Sequence, residues 1–280
     1  MRLRLFILCV LGLAVWWGVT WPSPSPNISE GVGQVEHGSY VFDAAGCASC
    51  HMAPDSDDRQ ALGGGKAFKT PFGTFLAPNI SSHETFGIGG WSFASFAGSV
   101  RHGVSPEGKH YFPVFPYTSY QNMTDQDLRD LWAYMQTLPA VEAPNEPHQI
   151  ALPFSIRRNV GVWKWINMPS HRSDIPERGD YLVNALGHCA ECHTPRNAIG
   201  GMRTDQWLQG GPNPSVPGKI PGITGATLDW SAEDIAEYLR SGFTPDYDVA
   251  GGEMVDVIAN TSRLTDEDRL AIGRYLKGIK

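Results

Sequence analysis

Positive charge is in short supply in this chain. Lys and Arg number 22 against 29 Asp and Glu, for a formal net charge of −7. Nucleic acid is excluded as a partner by that balance. A basic protein docking by charge and plain solubility both remain open readings of an acidic surface. Cysteine is scarce as well: there are five, and only Cys9 lies outside two short clusters. No βαβ pattern surrounds either cluster, which argues against a thioredoxin-like dithiol. No signalling domain is visible, which excludes a sensor. What is there suits ordinary globular cores: 41% hydrophobic and 18% charged residues. Gly 31 and Pro 21 predict short helices joined by long irregular segments. A length of 280 residues allows more than one domain.

The first 21 residues lack any acid. Two Arg precede an apolar run from Leu5 to Trp21, the pattern of an export signal whose positive end stays in the cytoplasm. The run also lacks a small-residue cleavage site, ending instead Trp16-Trp17-Gly18-Val19-Thr20-Trp21-Pro22. Three Trp there read as an interfacial belt, so the expectation is an uncleaved transmembrane helix over 1–21, with the bulk of the chain outside the cytoplasm. Residues 22–35, rich in Pro and Ser, read as a stiff spacer.

The four remaining cysteines make two copies of one motif, Cys47-Ala48-Ser49-Cys50-His51 and Cys189-Ala190-Glu191-Cys192-His193. C-x-x-C-H is the haem c attachment signal. On a helix, positions i and i+3 share a face, so both sulfurs reach the vinyl groups of one porphyrin. The following His presents its imidazole to the iron. A Cys₄ zinc site would leave both His unexplained, and two disulfides would close short, strained loops. Two covalently bound haem c groups are therefore expected, held by Cys47, Cys50, Cys189 and Cys192, with His51 and His193 as axial ligands.

Each motif heads a repeat. Tyr40 and Tyr181 stand 141 residues apart, as do Thr124 and Thr265, and Trp91-Ser92 answers Trp230-Ser231. Two domains follow, 36–139 and 176–280, joined by a linker over 140–175. In each, one amphipathic helix runs into the motif. A second starts at Ser92 or Ser231 and ends before Gly103 or Gly242, and the last starts at Thr124 or Thr265. A short helix is expected around Val160 to Ile166, with Trp163 and Trp165 packing against the two domains.

The chain resembles the dihaem class I cytochromes c of proteobacteria, similar to the cytochrome subunits of periplasmic alcohol- and aldehyde-type dehydrogenases. The resemblance covers nearly all of 36–280. It rests on Gly63-Gly64-Gly65-Lys66-Ala67-Phe68, Pro78-Asn79-Ile80, Phe112-Pro113-Val114-Phe115-Pro116 and Gly187-His188 through Arg196-Asn197. One departure is Gly222, in Pro221-Gly222-Ile223-Thr224, where relatives have Asn. The resemblance implies a mainly α fold of two tandem class I cytochrome c domains and His/Met ligation of both irons. For the second iron the Met is Met254. For the first, relatives carry Met either at the position of Phe115 or just before the last helix, which leaves Met123; His102 and His110 stay open as alternatives. Pro54 and Pro195 stand where the family has a carbonyl that orients the proximal His. The implied function is electron transfer on the periplasmic side of a bacterial inner membrane, from a dehydrogenase subunit to a membrane or soluble acceptor of the respiratory chain. The alternative is a peroxidase-like dihaem enzyme with one open or labile iron. A thiosulfate-oxidising version would need a further cysteine, which the exported part lacks.

Overall fold

A computed structural model of the chain describes every residue except 1, 23–27, 29–30, 173–174, 176, 214–215 and 280. Half of the expected spacer, 22–35, lies outside the described residues.

The N-terminal helix α1 covers Arg2–Val19. Its apolar stretch from Leu5 is about 22 Å long at ~1.5 Å per residue, short of the ~30 Å hydrocarbon core of a bilayer. Among the described residues no helix is long and apolar enough to cross a membrane, and the expected transmembrane helix is thereby overturned. The residues read as an interfacial belt dock on the protein itself. Trp17 and Trp21 hold the Arg158 guanidinium 4.1 and 5.1 Å from their ring centres. Trp16 Nε1 donates to Asn159 Oδ1, and the carbonyl of fully buried Thr20 accepts from His110 Nε2 at 3.0 Å.

The N-terminal half then runs α2 (Val35–Ala44), α3 (Cys47–His51), a hairpin of β1 (Ala67–Thr70) and β2 (Gly73–Leu76), α4 (Phe93–His102), α5 (Tyr117–Tyr120) and α6 (Asp125–Met135). A connecting stretch contributes β3 (Gln149–Ile150), antiparallel to β2, and α7 (Val160–Asn167). The C-terminal half runs α8 (Arg178–Tyr181), α9 (Ala190–His193), β4 (Gly211–Pro212), β5 (Lys219–Ile220), α10 (Ala232–Ser241), α11 (Met254–Thr261) and α12 (Asp266–Gly278).

Local chemistry sets these boundaries. The side chains of Ser92, Thr124, Ser231 and Thr265 each accept from a backbone N–H three residues on, and Gly103 and Gly242 close α4 and α10 in the left-handed conformation. In both halves the first and last helices cross at a glycine. A Cβ on Gly38 would lie 1.9 Å from the Asp130 carbonyl oxygen, and one on Gly179 would lie 2.2 Å from that of Ala271. The halves differ in one respect. Six residues separate Tyr40 from Cys47, but seven separate Tyr181 from Cys189. The extra residue is absorbed by a π-helical turn, Leu182–Leu186, which continues α8.

One hydrophobic cluster runs through both halves, from Val41 and Leu128 to Leu186 and Leu276. Its polar border is reciprocal. Tyr40 donates to Asp268 Oδ2 at 2.5 Å and accepts from the Thr265 N–H at 3.2 Å. Tyr181 donates to Asp127 and accepts from the Thr124 N–H at 3.0 Å. Each half thus satisfies the N-terminus of the other half's last helix. Between them, Trp163 packs edge-on to Tyr117 and donates to the Ile199 carbonyl. Trp165, also expected to pack, is 77% exposed.

Candidate functional site

The two C-x-x-C-H motifs form short helices of matching construction. α3 starts after Gly46, at φ 68°, and carries Cys47, Cys50 and His51 within its five residues. α9 starts after Cys189, and the residue matching Gly46 is His188, a non-glycine held at φ 41°. That strain is secured by its own side chain, whose Nδ1 bonds the Leu186 carbonyl at 2.9 Å.

None of the four motif cysteines pairs in a disulfide. Burial pushes Cys47 and Cys189 up to about 12, with the neighbouring motif cysteine adding to the shift in each case. Burial likewise raises Cys50 to about 11, opposed by Lys66 and reinforced by Glu253 and by Cys192 of the other motif. The upward shifts mark apolar surroundings at the three sulfurs, which suit an apolar porphyrin edge.

His51 Nδ1 donates to the Pro78 carbonyl at 2.8 Å, and His193 Nδ1 donates to the Pro221 carbonyl at 2.8 Å. Each bond fixes the tautomer, leaving Nε2 as a free lone pair for a metal. Burial lowers both His pKa values, against those same bonds, so the rings stay neutral as ligands must. The orienting carbonyls were expected from Pro54 and Pro195, next to the motifs. They come instead from Pro78 and Pro221, 27 and 28 residues downstream, because the chain loops back over each histidine. The loop is pinned by Gly64 N–H to the His51 carbonyl and Gly210 N–H to the His193 carbonyl, both 2.7 Å. Gly222, the departure from the family pattern, lies in this loop but leaves the Pro221 contact intact. The side chain it lacks has a counterpart in Asn79, whose Nδ2 donates to Val141 and Ala143 carbonyls.

Each motif helix is held by the other half of the chain. α11 packs against α3: Ser49 Oγ donates to the Asp256 carbonyl at 3.1 Å and accepts from Asn260 Nδ2 at 2.5 Å. Lys66 Nζ ties Ser49 O, Glu253 and Asp256 together at 3.0, 3.2 and 2.6 Å. In the reverse direction, Thr118 Oγ1 on α5 donates to Glu191 Oε1 on α9 at 2.6 Å. Tyr120 donates to the Ala45 carbonyl at 2.6 Å while its ring meets His188 edge-on at 5.4 Å. His188, which the sequence marks only as part of the stretch from Gly187 to Asn197, therefore touches the half that carries the first motif. Only its place beside Cys189 could have drawn attention to it.

The remaining site candidates separate. Met254 opens α11, partly buried, within two residues of the Ser49 and Lys66 contacts. Met123 lies elsewhere, 1% exposed in the core just before the N-cap Thr124, with its carbonyl accepting from Arg101 at 2.5 Å. His110 is engaged on both nitrogens, by the Thr20 carbonyl and by Lys164 Nζ at 3.2 Å.

The donor set fits a pair of covalently held haems: two thiols and one oriented neutral imidazole on each short helix. A cytochrome c family model matches residues 35–139. A dihaem c-type cytochrome of Cereibacter sphaeroides is 50% identical, over 98% of this chain and 96% of its own. The cytochrome subunit of fructose dehydrogenase from Gluconobacter japonicus is 35% identical over 98% of this chain. The cytochrome c subunit of a quinone alcohol dehydrogenase from Gluconacetobacter polyoxogenes is 35% identical over 88%. The chain spans 57% and 56% of those two subunits. Geometry and likeness agree that two haem c groups are covalently bound, and the chain belongs to the dihaem cytochrome c family.

Proposed function

We propose that this chain relays electrons in the periplasm, taking them from a dehydrogenase partner and delivering them to an acceptor of the respiratory chain. Cys47 and Cys50 would hold one haem and Cys189 and Cys192 the other, with His51, His193 and Met254 supplying donor atoms to the irons. Bound haem supplies a one-electron iron couple; the chain's own groups set its position and surroundings. His51 and His193 are held rigid by the Pro78 and Pro221 carbonyls, which limits reorganisation when the iron changes charge.

The observation that carries the reading is that each motif helix is gripped by the other half of the chain: Asn260 bonds Ser49 in the first motif and Thr118 bonds Glu191 in the second. A relay requires its two centres at short, fixed separation. The partner is argued from relatives that are subunits of fructose, alcohol and gluconate dehydrogenases.

Deleting the chain from its host tests this. Oxygen uptake on an alcohol, aldehyde or sugar should fall, while oxidation of that substrate by an artificial acceptor persists. Unchanged oxygen uptake on all three substrate classes would overturn the proposal. The peroxidase-like alternative is favoured by one observation: five residues beyond the matching bridges Val104–His110 and Phe243–Val249, the N-terminal half has Phe115 where the C-terminal half has Met254.

A further inference from the structure

The two halves can be matched residue by residue through the loop that follows α4 and α10. Ser105 N–H meets the Lys109 carbonyl as Thr244 N–H meets that of Asp248, at 2.8 and 2.9 Å. Tyr111 N–H meets the Gly103 carbonyl as Ala250 N–H meets that of Gly242, both at 2.8 Å or less. The bridge Val104–His110 repeats as Phe243–Val249. Five residues beyond that bridge stand Phe115 in one half and Met254 in the other.

The methionines of the N-terminal half do not fill the gap. Met123 matches Leu264, each a buried residue directly before an N-cap threonine, and Met135 matches Leu276 in the last helix. Met52 follows the proximal His and matches Thr194. His110 matches Val249 and has both nitrogens bonded. Phe115 itself sits in a cage of Tyr111, Tyr117 and Tyr120, with ring centres 5.8–6.3 Å away. The Tyr117 side chain is 0% exposed, and its hydroxyl has no hydrogen-bond partner.

We propose that the first haem iron, held by Cys47, Cys50 and His51, has no protein sulfur as its sixth ligand and binds a small exogenous ligand instead, because Phe115 stands at the position that Met254 occupies in the other half. The inference rests on the haem attachment proposed above. Phenylalanine offers no lone pair, so the position is closed to a protein bond yet open to a small molecule such as carbon monoxide on ferrous iron or cyanide on ferric iron. Such binding forms one coordinate bond from the ligand's lone pair and moves no electrons between reactants. The cage of rings makes the site apolar and excludes bulky ligands.

The test uses the full chain with both haems, counted first as the pyridine haemochrome; fewer than two per chain would mark a failure of attachment rather than of this inference. Carbon monoxide added to the reduced protein should shift about half of the haem absorbance. Phe115→Met should abolish that shift and double the intensity of the ferric Met-to-iron charge-transfer band. Met123→Leu should change neither. The inference fails if the unaltered protein binds no carbon monoxide, if Phe115→Met leaves binding intact with two haems attached, or if Met123→Leu creates or enlarges it.

Discussion

The chemistry of each residue at the site is decided by one hydrogen bond or by one neighbour. The C-x-x-C-H motifs were legible because their spacing carries its own mechanism. The carbonyls that orient the histidines were not, since the bond between His51 and Pro78 joins residues 27 apart, across a hairpin and its flanking loops. The same limit applied to the axial sulfurs. Nearness to a helix start drew attention to Met123, which is buried directly before Thr124 as Leu264 is buried directly before Thr265. Met254→Leu should leave both haems attached, let the second haem bind carbon monoxide and lower its midpoint potential, because thioether ligation favours ferrous iron. A redox titration with carbon monoxide difference spectra checks both effects, and an unchanged potential would remove Met254 from the ligand set.

Among the elements, caps were the readable part. Ser92, Thr124, Ser231 and Thr265 stand at the N-caps that their side-chain chemistry dictates. The π-turn was hidden, though its cause is plain in hindsight as one extra residue between Tyr181 and Cys189. Helix α1 misled because hydropathy without length cannot distinguish a helix that spans from one that docks. Close crossings give a sharp test. Gly38→Ala should cost about 2–3 kcal/mol, since overpacking there must push apart two helix backbones. Gly251→Ala, with nothing within 4 Å, should be near neutral. Thermal unfolding of the two variants side by side decides it, and equal melting temperatures would refute the crossing argument.

The whole molecule depends on its reciprocal border. Tyr181→Phe removes a buried hydrogen bond to a carboxylate and should cost about 1–3 kcal/mol in denaturant unfolding. The Asp268 carboxyl is raised by burial but lowered more by Arg178 and Tyr40, leaving it below its ordinary value. Its contribution to stability is therefore whole above the unfolded value near ~4 and disappears as pH falls through the lower folded value. Asp268→Asn should flatten the acid limb of the stability curve, measured as melting temperature against pH. An unaltered acid limb would mean that other carboxylates govern acid unfolding.

That border has an ancestry written into it. Tyr40 and Asp127 belong to one half, Tyr181 and Asp268 to the other, so each half owns both a donor and an acceptor of the same bond. Self-complementary ownership of this kind is the signature of a two-fold homodimer. Joining two copies of a single-haem protein head to tail, through the stretch that carries α7, would reproduce the arrangement without inventing a contact. Residues 31–145 made alone are thus expected to pair with themselves, and sedimentation would see a dimer that Tyr40→Phe weakens.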